Sequence, residues 1–353
     1  MLPLRDGVGP SCVGLAAGPW LRLIDFLAWR FPAVPAREWA RRAASGELVD
    51  DSGRPVQTDQ PYRPHGRLFY YRSVPPEARV AGAETVLFED DFLVVADKPH
   101  FLPVTPAGRY LQETLLVRLR RKLRCDGLAP LHRIDRETAG VVLFAKQPAT
   151  RARYEALFAR RLVAKTYQAI APSLPLAPAP PLAFPHTRAS VLVAGSHFMQ
   201  MREWTGEPDA APAPLPARPP NAITTIDCLQ IHGAWARYRL RPLTGQRHQL
   251  RVQMAALGLA ILGDRIYPRL LPVGSDDAAN PLRLLAQSIG FVDPVTGQAR
   301  HFESRRRLAF PDEIPDEIPD ETADGTADEI ASETADENPD GFPDGFPNNP
   351  LSR

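Results

Sequence analysis

Residues 132–140 form a densely charged segment that directly precedes an apolar run. The segment reads His-Arg-Ile-Asp-Arg-Glu-Thr-Ala-Gly, and the apolar run 141–145 reads Val-Val-Leu-Phe-Ala. Because an unpaired charge beside a core is costly, charged residues here must be paired or functional. Arg133 and Arg136 favour the ionised form of Asp135, which could therefore act as a nucleophile or a proton acceptor. A structural ion-pair cluster at the start of a strand fits the same spacing.

Two other enzyme classes, protein kinases and glycoside hydrolases, also use a catalytic carboxylate. The catalytic loop of protein kinases also begins with His-Arg, but here Ile134 precedes the aspartate. The sequence also lacks three other kinase features: an asparagine at the metal-binding spacing, a glycine-rich phosphate loop and an Asp-Phe-Gly motif. A glycoside hydrolase needs a second positioned carboxylate, and Glu137 is only two residues from Asp135. The sequence favours neither of these enzyme classes.

The segment Lys165-Thr166-Tyr167 is a second candidate. Alternation along a strand would place Lys165 and Tyr167 on the same face. An aromatic ring beside a cation suits a stacked nucleic-acid base and a nearby phosphate. Because tyrosines in strands are more often packing residues, this pair alone does not decide between the two roles.

A third candidate covers residues 244–251, which read Thr-Gly-Gln-Arg-His-Gln-Leu-Arg. We predict a helix over residues 246–257. On that helix Arg247 and Arg251 would lie one turn apart, with His248 three residues before Arg251. The two guanidinium groups and the imidazole could then bind a carboxylate or a phosphate. A solvated basic helix face is the alternative.

Hydrophobic periodicity predicts the elements that must position these groups. Strands outnumber helices and do not alternate regularly with them. This pattern indicates an α+β fold with a mixed, largely antiparallel central sheet and flanking helices, rather than a doubly wound parallel sheet. The predicted strands cover residues 67–72, 86–88, 92–96, 140–146, 162–171, 222–231 and 236–242. The predicted helices cover residues 23–31, 36–44 and 246–257, the stripe Leu115, Leu119 and Leu123, and the apolar face Tyr154, Leu157 and Phe158.

Three regions are predicted along the chain, with boundaries near residues 80 and 310. Residues 1–80 have a helix–helix–hairpin order typical of a small α/β module, with four arginines on its helices: Arg30, Arg37, Arg41 and Arg42. An RNA-binding module and a simple cap on the main domain fit this pattern equally well. Residues 81–310 are predicted to form the main domain. Two proline-rich stretches within it, 172–185 and 207–220, are predicted to be surface insertions.

The C-terminal region 311–353 is repetitive and acidic. It has too few apolar residues for a core, so we predict that it is disordered. It could be a solubilising tail. It could also compete with a nucleic acid for the basic body of the protein.

The net charge of +1 conceals a strongly basic body. Residues 311–353 hold 14 of the 41 acidic residues and a single arginine, which leaves residues 1–310 with a net charge of +14. That charge predicts a polyanionic partner. The three cysteines, Cys12, Cys125 and Cys228, have no disulfide or metal-ligand spacing, and no apolar run is long enough to span a membrane. We expect a cytoplasmic monomer that uses neither a metal nor a membrane.

The order of the candidate segments resembles the RluA family of RNA pseudouridine synthases over about residues 81–304. The matching segments are Lys98-Pro99, 132–140, 165–167, 244–251, Gly263-Asp264-Arg265-Ile266-Tyr267, Leu284-Leu285-Ala286-Gln287 and 291–297. The resemblance implies the pseudouridine synthase fold and the isomerisation of uridine in structured RNA without a cofactor. It also implies an S4-like, RNA-binding role for residues 20–72. Ribosomal RNA is then the first expected substrate, because such a module and a basic surface suit a large structured RNA, and transfer RNA is the second.

The resemblance also implies roles for individual residues. Asp135 matches the catalytic aspartate, Arg251 the arginine that pairs with it, and Tyr167 the tyrosine that packs on the target uracil and assists proton removal. Arg133 matches the residue that holds open the space left by the extruded nucleotide. The further expected substrate-binding residues are His132, Arg136, Lys165, Arg247 and His248. A catalytically inactive RNA-binding protein of the same fold is the alternative, and the presence of Asp135, Tyr167 and Arg251 argues against it.

The sequence departs from the family pattern at a few positions. Ile134 and Ala139 are mild changes from leucine and serine. Gln246-Arg247 stands where an arginine followed by threonine or serine is common, so the guanidinium group is displaced by one position. Gln253 stands where histidine is common, which changes the expected local hydrogen bonds.

Overall fold

The structure is a computed structural model that describes residues 2–72, 77–174, 182–197, 200–204, 219–272 and 277–313. The predicted acidic tail lies outside these residues except for Pro311, Asp312 and Glu313. Half of the first predicted proline-rich insertion, residues 175–181, and most of the second, residues 207–218, also lie outside them. The chain divides into two compact units, and residues 105–126 cluster with the N-terminal elements rather than with their neighbours in sequence. The domain boundaries near residues 80 and 310 stay predictions.

Within the described residues, the first unit combines three helices with a small antiparallel sheet of order β1-β3-β2. Its elements are β1 (Ser11–Gly14), α1 (Leu23–Arg30), α2 (Ala36–Ala44), β2 (Leu48–Val49), β3 (Arg67–Tyr70) and α3 (Leu115–Leu123). Helices α1 and α2 and the strand at residue 67 lie where periodicity predicts them. Their core packs around Phe26, Trp39 and Leu68.

Two of the four arginines predicted to form the basic surface of this unit are paired within it. Glu38 accepts hydrogen bonds from both Arg41 and Arg42, at 2.8 Å in each case. Arg42 is buried, and its guanidinium group lies 5.2 Å from the centre of the Trp39 ring. Part of the positive charge on α2 is therefore neutralised by an ion pair within the helix.

The second unit contains a mixed sheet that is antiparallel except where β7 pairs with β14. Its main path has the order β4-β5-β7-β14-β8-β13-β12-β9, with β6 beside β7 and β15 beside β14. The elements are β4 (Thr85–Glu89), β5 (Leu93–Lys98), β6 (Ala129–Pro130), β7 (Ala139–Ala145), α4 (Pro148–Ala159), β8 (Ala164–Pro172), β9 (His186–Ser190), β10 (Leu192–Ala194), β11 (Met201–Glu203), β12 (Ala222–His232), β13 (Trp235–Pro242), α5 (Gln249–Ala256), β14 (Leu284–Val292) and β15 (Ala299–Glu303). The predicted α+β class and the largely antiparallel sheet are confirmed.

Strand β7 lies in the interior of this sheet, and every one of its seven residues is buried. Gly140 has a φ of +115°, and a Cβ atom there would lie 2.2 Å from the carbonyl oxygen of Ala286 on β14. Only glycine fits such a close approach, because it has no side chain and tolerates positive φ. This packing brings the charged segment before β7 against the middle of the sheet.

Helix α5 begins at Gln249, so the prediction of a helix from residue 246 is wrong at its start. His248 has a φ of 52°, which is left-handed and cannot belong to an α-helix. The Gln249 side chain stabilises the preceding turn, because its Oε1 accepts hydrogen bonds from Gln246 N and Thr244 Oγ1. Arg247 and Arg251 therefore do not share a helix face. The alternative of a solvated basic face is also wrong for Arg251, which is buried.

Candidate active site

A cavity of about 430 Å³ opens in the second unit beside the charged segment. Its walls come from the loop before β7, the end of α4 with the start of β8, and the turn before α5. Seven of the nine residues predicted for the site line it: His132, Arg133, Asp135, Lys165, Tyr167, His248 and Arg251. Arg136 and Arg247 do not line it. Arg136 instead lies over the Phe101 ring, 5.7 Å from its centre.

Arg251 is the charged centre of the site, and its side chain is 1% exposed. Its guanidinium group donates to both oxygens of Asp264, at 2.8 and 2.7 Å. It also contacts Glu137 at 2.9 Å and Asp135 at 3.4 Å. Burial opposes its charge, but the hydrogen bonds that it donates to Asp264 outweigh this and raise the pKa of Arg251 above its usual value. A buried cation with several carboxylate partners is a stable, fixed arrangement.

The three carboxylates around Arg251 are not equivalent. The Asp264 side chain is 1% exposed and that of Glu137 is 15% exposed, whereas Asp135 is 29% exposed. Asp135 also has the longest contact with Arg251. It is therefore the carboxylate that stays accessible in the cavity, while Asp264 and Glu137 hold the guanidinium group in place.

His248 faces Asp135 from the turn before α5, with its Nε2 3.9 Å from Asp135 Oδ1. Its Nδ1 lies 2.9 Å from the hydroxyl of Tyr267. That hydroxyl accepts a hydrogen bond from the backbone N–H of Met201, which leaves its own proton free to point to Nδ1. The tautomer with the ring proton on Nε2, towards Asp135, fits both contacts. Burial lowers the pKa of His248, which keeps the imidazole neutral.

Tyr167 and Lys165 lie on β8 and both line the cavity, as strand alternation predicts. Burial, and to a lesser degree the charge of Asp135, raises the pKa of the Tyr167 phenol, which therefore stays protonated. Lys165 Nζ donates to the carbonyl oxygen of Thr244 at 3.0 Å. Burial lowers the pKa of Lys165. The phenol ring provides an apolar surface, and Lys165 ties β8 to the turn before α5.

His132 lines the cavity as a neutral hydrogen-bond acceptor. Its Nε2 accepts from the backbone N–H of Leu143 at 3.1 Å, and its ring stacks on Phe158 with centres 5.1 Å apart. Burial lowers the pKa of His132 to about 3. These contacts fix the start of the charged segment against β7 and α4.

Lys98 and His100 support the same segment, a role that their positions in the sequence did not indicate. Lys98 is buried, and its Nζ donates to the carbonyl oxygen of Arg136 at 2.9 Å. His100 Nδ1 donates to the carbonyl oxygen of Glu137 at 2.7 Å. Burial lowers the pKa of Lys98 well below its usual value and that of His100 to about 4. A lysine at the end of a largely apolar strand was the available signal.

Asp264 is a further site residue to which the sequence analysis gave no role. Besides Arg251, its carboxylate accepts hydrogen bonds from the backbone N–H groups of Ile266 and Tyr267. The structure also explains the departure at Gln253. Its side-chain Nε2 donates a hydrogen bond to Ser190 Oγ, and its Oε1 accepts one from Thr224 Oγ1. Both side chains complete buried polar networks.

In the part of the chain that the structure describes, no group of three or more histidine, cysteine or acidic residues could hold a metal ion. Within the same residues, no helix is long and apolar enough to cross a membrane.

Comparisons with known proteins match a region that contains most of the site. Residues 92–256 match the family model described as RNA pseudouridylate synthase. The chain is 27% identical to an uncharacterized RNA pseudouridine synthase of Synechocystis over 78% of this chain and 91% of that protein. It is 26% identical to the dual-specificity RNA pseudouridine synthase RluA of Haemophilus influenzae, over 62% of this chain and 92% of that protein. A solved structure of human RNA pseudouridylate synthase domain containing 1 has a similar fold, with a TM-score of 0.50 and 20% identity over 65% of this chain and 86% of that one.

Proposed function

We infer that this chain, an RNA pseudouridine synthase by the family match of residues 92–256, converts specific uridines of structured RNA to pseudouridine with Asp135 as its catalytic carboxylate. One observation carries the assignment of Asp135. Of the three carboxylates that contact the buried Arg251, it is the most exposed and the least tightly paired.

The reaction breaks the bond between C1′ of the ribose and N1 of uracil, turns the base, and rejoins C1′ to C5. Because these atoms are shielded within a helix, the nucleotide must first leave the stack. The cavity of about 430 Å³ is large enough for one such base. In our proposal Arg133 helps to hold open the space that the extruded nucleotide leaves.

Asp135 can start the reaction by two routes, either by attacking C1′ or by removing a ribose proton to form a glycal. In both, the Arg251 guanidinium group orients the carboxylate. Tyr167 would lie against the uracil with a neutral phenol, which agrees with its raised pKa. After rejoining, C5 loses its proton and N1 gains one, so the product is an isomer of the substrate. His132, Lys165 and His248 would contribute by shaping this cavity.

Ribosomal RNA is the proposed substrate class, and transfer RNA is the second. The net charge of +14 over residues 1–310 supports a large polyanionic partner. Among the relatives, one yeast protein is named a mitochondrial tRNA pseudouridine(32) synthase and shares 30% identity over 52% of this chain and 36% of its own length. We propose that the N-terminal module, residues 20–72, binds RNA in an S4-like manner.

Mapping pseudouridines in ribosomal and transfer RNA tests this function. Cells with the gene, cells without it, and deleted cells complemented with Asp135→Ala are compared. We expect one or more sites to disappear on deletion, to return with the wild-type gene and to stay absent with Asp135→Ala. If no site disappears, or if Asp135→Ala restores the lost site, the enzymatic assignment is wrong. Retained RNA binding without any modification would favour an inactive RNA-binding protein of this fold.

A further inference from the structure

Arg161 lines the cavity from the turn that follows α4, and its side chain is exposed. Arg133 lines the same cavity from the loop before β7 and is also exposed. Neither guanidinium group forms a hydrogen bond or an ion pair with any residue that the structure describes. Both groups are therefore available to a ligand that enters the cavity.

The other cations that line the cavity are already engaged. Arg251 is held by three carboxylates, and Lys165 Nζ donates to the carbonyl oxygen of Thr244. Arg251 cannot turn to a phosphate without losing a buried carboxylate partner, which is unfavourable. Arg133 and Arg161 are the cations of the cavity lining that have no partner among the described residues.

Direct packing joins the two segments that carry these arginines. The ring of His132, next to Arg133, stacks on the ring of Phe158 at an interplanar angle of 28°. Phe158 lies in the last turn of α4, and its carbonyl oxygen accepts a hydrogen bond from the backbone N–H of Arg161. The two segments that carry Arg133 and Arg161 therefore pack on one another, and both arginines line the cavity that Asp135 also lines.

The backbone of Arg161 is unusual for an arginine. Its φ of 58° is left-handed, at the end of a helix where glycine is commonly found. A long charged side chain here is less favourable than glycine for the backbone alone. The left-handed turn directs the chain from α4 back into β8 and leaves the Arg161 side chain at the cavity.

We propose that Arg161, beside Arg133, binds a backbone phosphate of the RNA at the entrance of the cavity, an inference that rests on the proposed function. Guanidinium groups bind phosphates with paired hydrogen bonds. A nucleotide that leaves the stack draws its flanking phosphates towards the cavity, where the exposed Arg161 can bind one of them. Arg161 is thus assigned to binding the substrate rather than to the chemical step.

The adjacent Arg160 offers a matched control, because it is exposed but does not line the cavity. The variants are Arg161→Gln, Arg161→Lys and Arg160→Gln in the full-length protein. Two probes are used: an unmodified transcript that contains the mapped uridine, for kcat and KM, and a fluorescent oligouridylate, for affinity as a function of KCl concentration.

We expect Arg161→Gln to raise KM about tenfold while changing kcat far less. The slope of log affinity against log salt should become shallower by about 0.7, the value for one lost phosphate contact on a single strand. Arg161→Lys should recover the slope and part of the KM, since a lysine keeps the charge but not the paired donors. Arg160→Gln should match the wild type in both measurements.

The inference is overturned if Arg161→Gln keeps the wild-type KM and slope, or if Arg160→Gln changes them equally. The latter result would show a general effect of surface charge. Failure of the proposed function is a separate outcome: wild-type protein would then form no pseudouridine in any transcript. A shallower oligouridylate slope for Arg161→Gln would still support phosphate binding in that case.

Discussion

At the scale of single residues, the site depends on how one guanidinium group is shared among three carboxylates. Asp264 binds two nitrogens of Arg251, and Glu137 contacts one of them. The remaining Nη1 is directed at Asp135, 3.4 Å away. Arg251 is therefore oriented before any substrate arrives, which is the condition for effective electrostatic assistance. Asp135 keeps an accessible oxygen because the other two carboxylates carry most of the pairing.

Tyr267→Phe tests the hydrogen-bonded chain from Met201 through Tyr267 to His248. The change removes the hydroxyl that donates to His248 Nδ1, so His248 loses its fixed tautomer opposite Asp135. We expect kcat to fall about tenfold, as is typical for partners that orient site residues. The nitrogen chemical shifts of the His248 ring should also change in NMR spectra.

Tyr62→Phe serves as the control for this prediction, because it removes a hydroxyl that bonds the carbonyl oxygen of Ala16 in the first unit. Equal kcat in Tyr267→Phe and wild type, with unchanged His248 shifts, would show that the chain does not orient the imidazole.

Two partly buried histidines predict how stability depends on pH. His132 and His100 have an ordinary pKa of 6.5, which burial lowers to about 3 and about 4 in the folded protein. At a pH between the ordinary pKa and the lowered pKa of each histidine, the unfolded chain binds more protons than the folded one. The free energy of unfolding therefore has its full value above pH 6.5. It decreases as the pH falls towards about 4 for His100 and about 3 for His132.

Urea denaturation across this pH range measures the effect. His132→Asn keeps an oxygen that can accept from the Leu143 N–H but removes the titrating ring. We expect it to flatten the fall in unfolding free energy by up to about 1.4 kcal/mol per pH unit. The same change at the exposed His65 should leave the slope as in the wild type. An unaltered slope in His132→Asn would contradict the proposed origin of the acid sensitivity.

At the scale of elements, the parallel pair β7–β14 places the site. The loop that carries Asp135 leads directly into β7, and β14 lies between β7 and the Tyr167 strand β8. Lys98 at the end of β5 supports the loop from the other side by binding the Arg136 carbonyl oxygen. Three strands and one loop thus determine the distance between Asp135 and Tyr167.

Gly140→Ala should disrupt this arrangement. The new Cβ would lie 2.2 Å from the Ala286 carbonyl oxygen at a φ of +115°, so β7 and β14 must separate. We expect a loss of about 3 kcal/mol or more in the free energy of unfolding, measured by urea denaturation. Gly233→Ala is the matched control, since Gly233 also has a positive φ, 58°, but nothing lies within 4 Å of the added Cβ. It should cost only about 1 kcal/mol. Equal losses in the two variants would show that the close contact between strands is unimportant.

At the scale of the whole molecule, charge is divided unequally along the sequence. Residues 1–310 have a net charge of +14, and most of the compensating acidic residues lie after them. Such a body attracts RNA of any sequence through its phosphates. An acidic segment on the same chain reduces that attraction, because it lowers the net charge that the RNA meets.

Deleting residues 314–353 tests this balance. We expect the shortened protein to bind a nonspecific RNA more tightly at low salt, and the difference to shrink as salt screens the charges. A full-length variant in which the acidic residues of this segment are changed to asparagine or glutamine separates charge from length and should bind like the deletion. Unchanged RNA affinity at low salt in both proteins would reject competition and leave a solubilising role.

The sequence alone predicted the features that depend on near neighbours. The helices of the first unit, the buried strand at residue 140 and the shared face of Lys165 and Tyr167 follow from periodicity. The charged segment around Asp135 was visible as well, because charges next to an apolar strand stand out. These patterns could not decide between a structural ion-pair cluster and a reactive carboxylate.

Only the tertiary structure decided the contacts between distant segments. Asp135 and Arg251 are separated by 116 positions, and their contact, like the exposure of each carboxylate, depends on how β7, β14 and α5 pack. Packing also set the left-handed His248, the neutral role of His132 and the support from Lys98. Burial determines which charges are paired and which remain available, and burial is a property of the packed molecule rather than of any local segment.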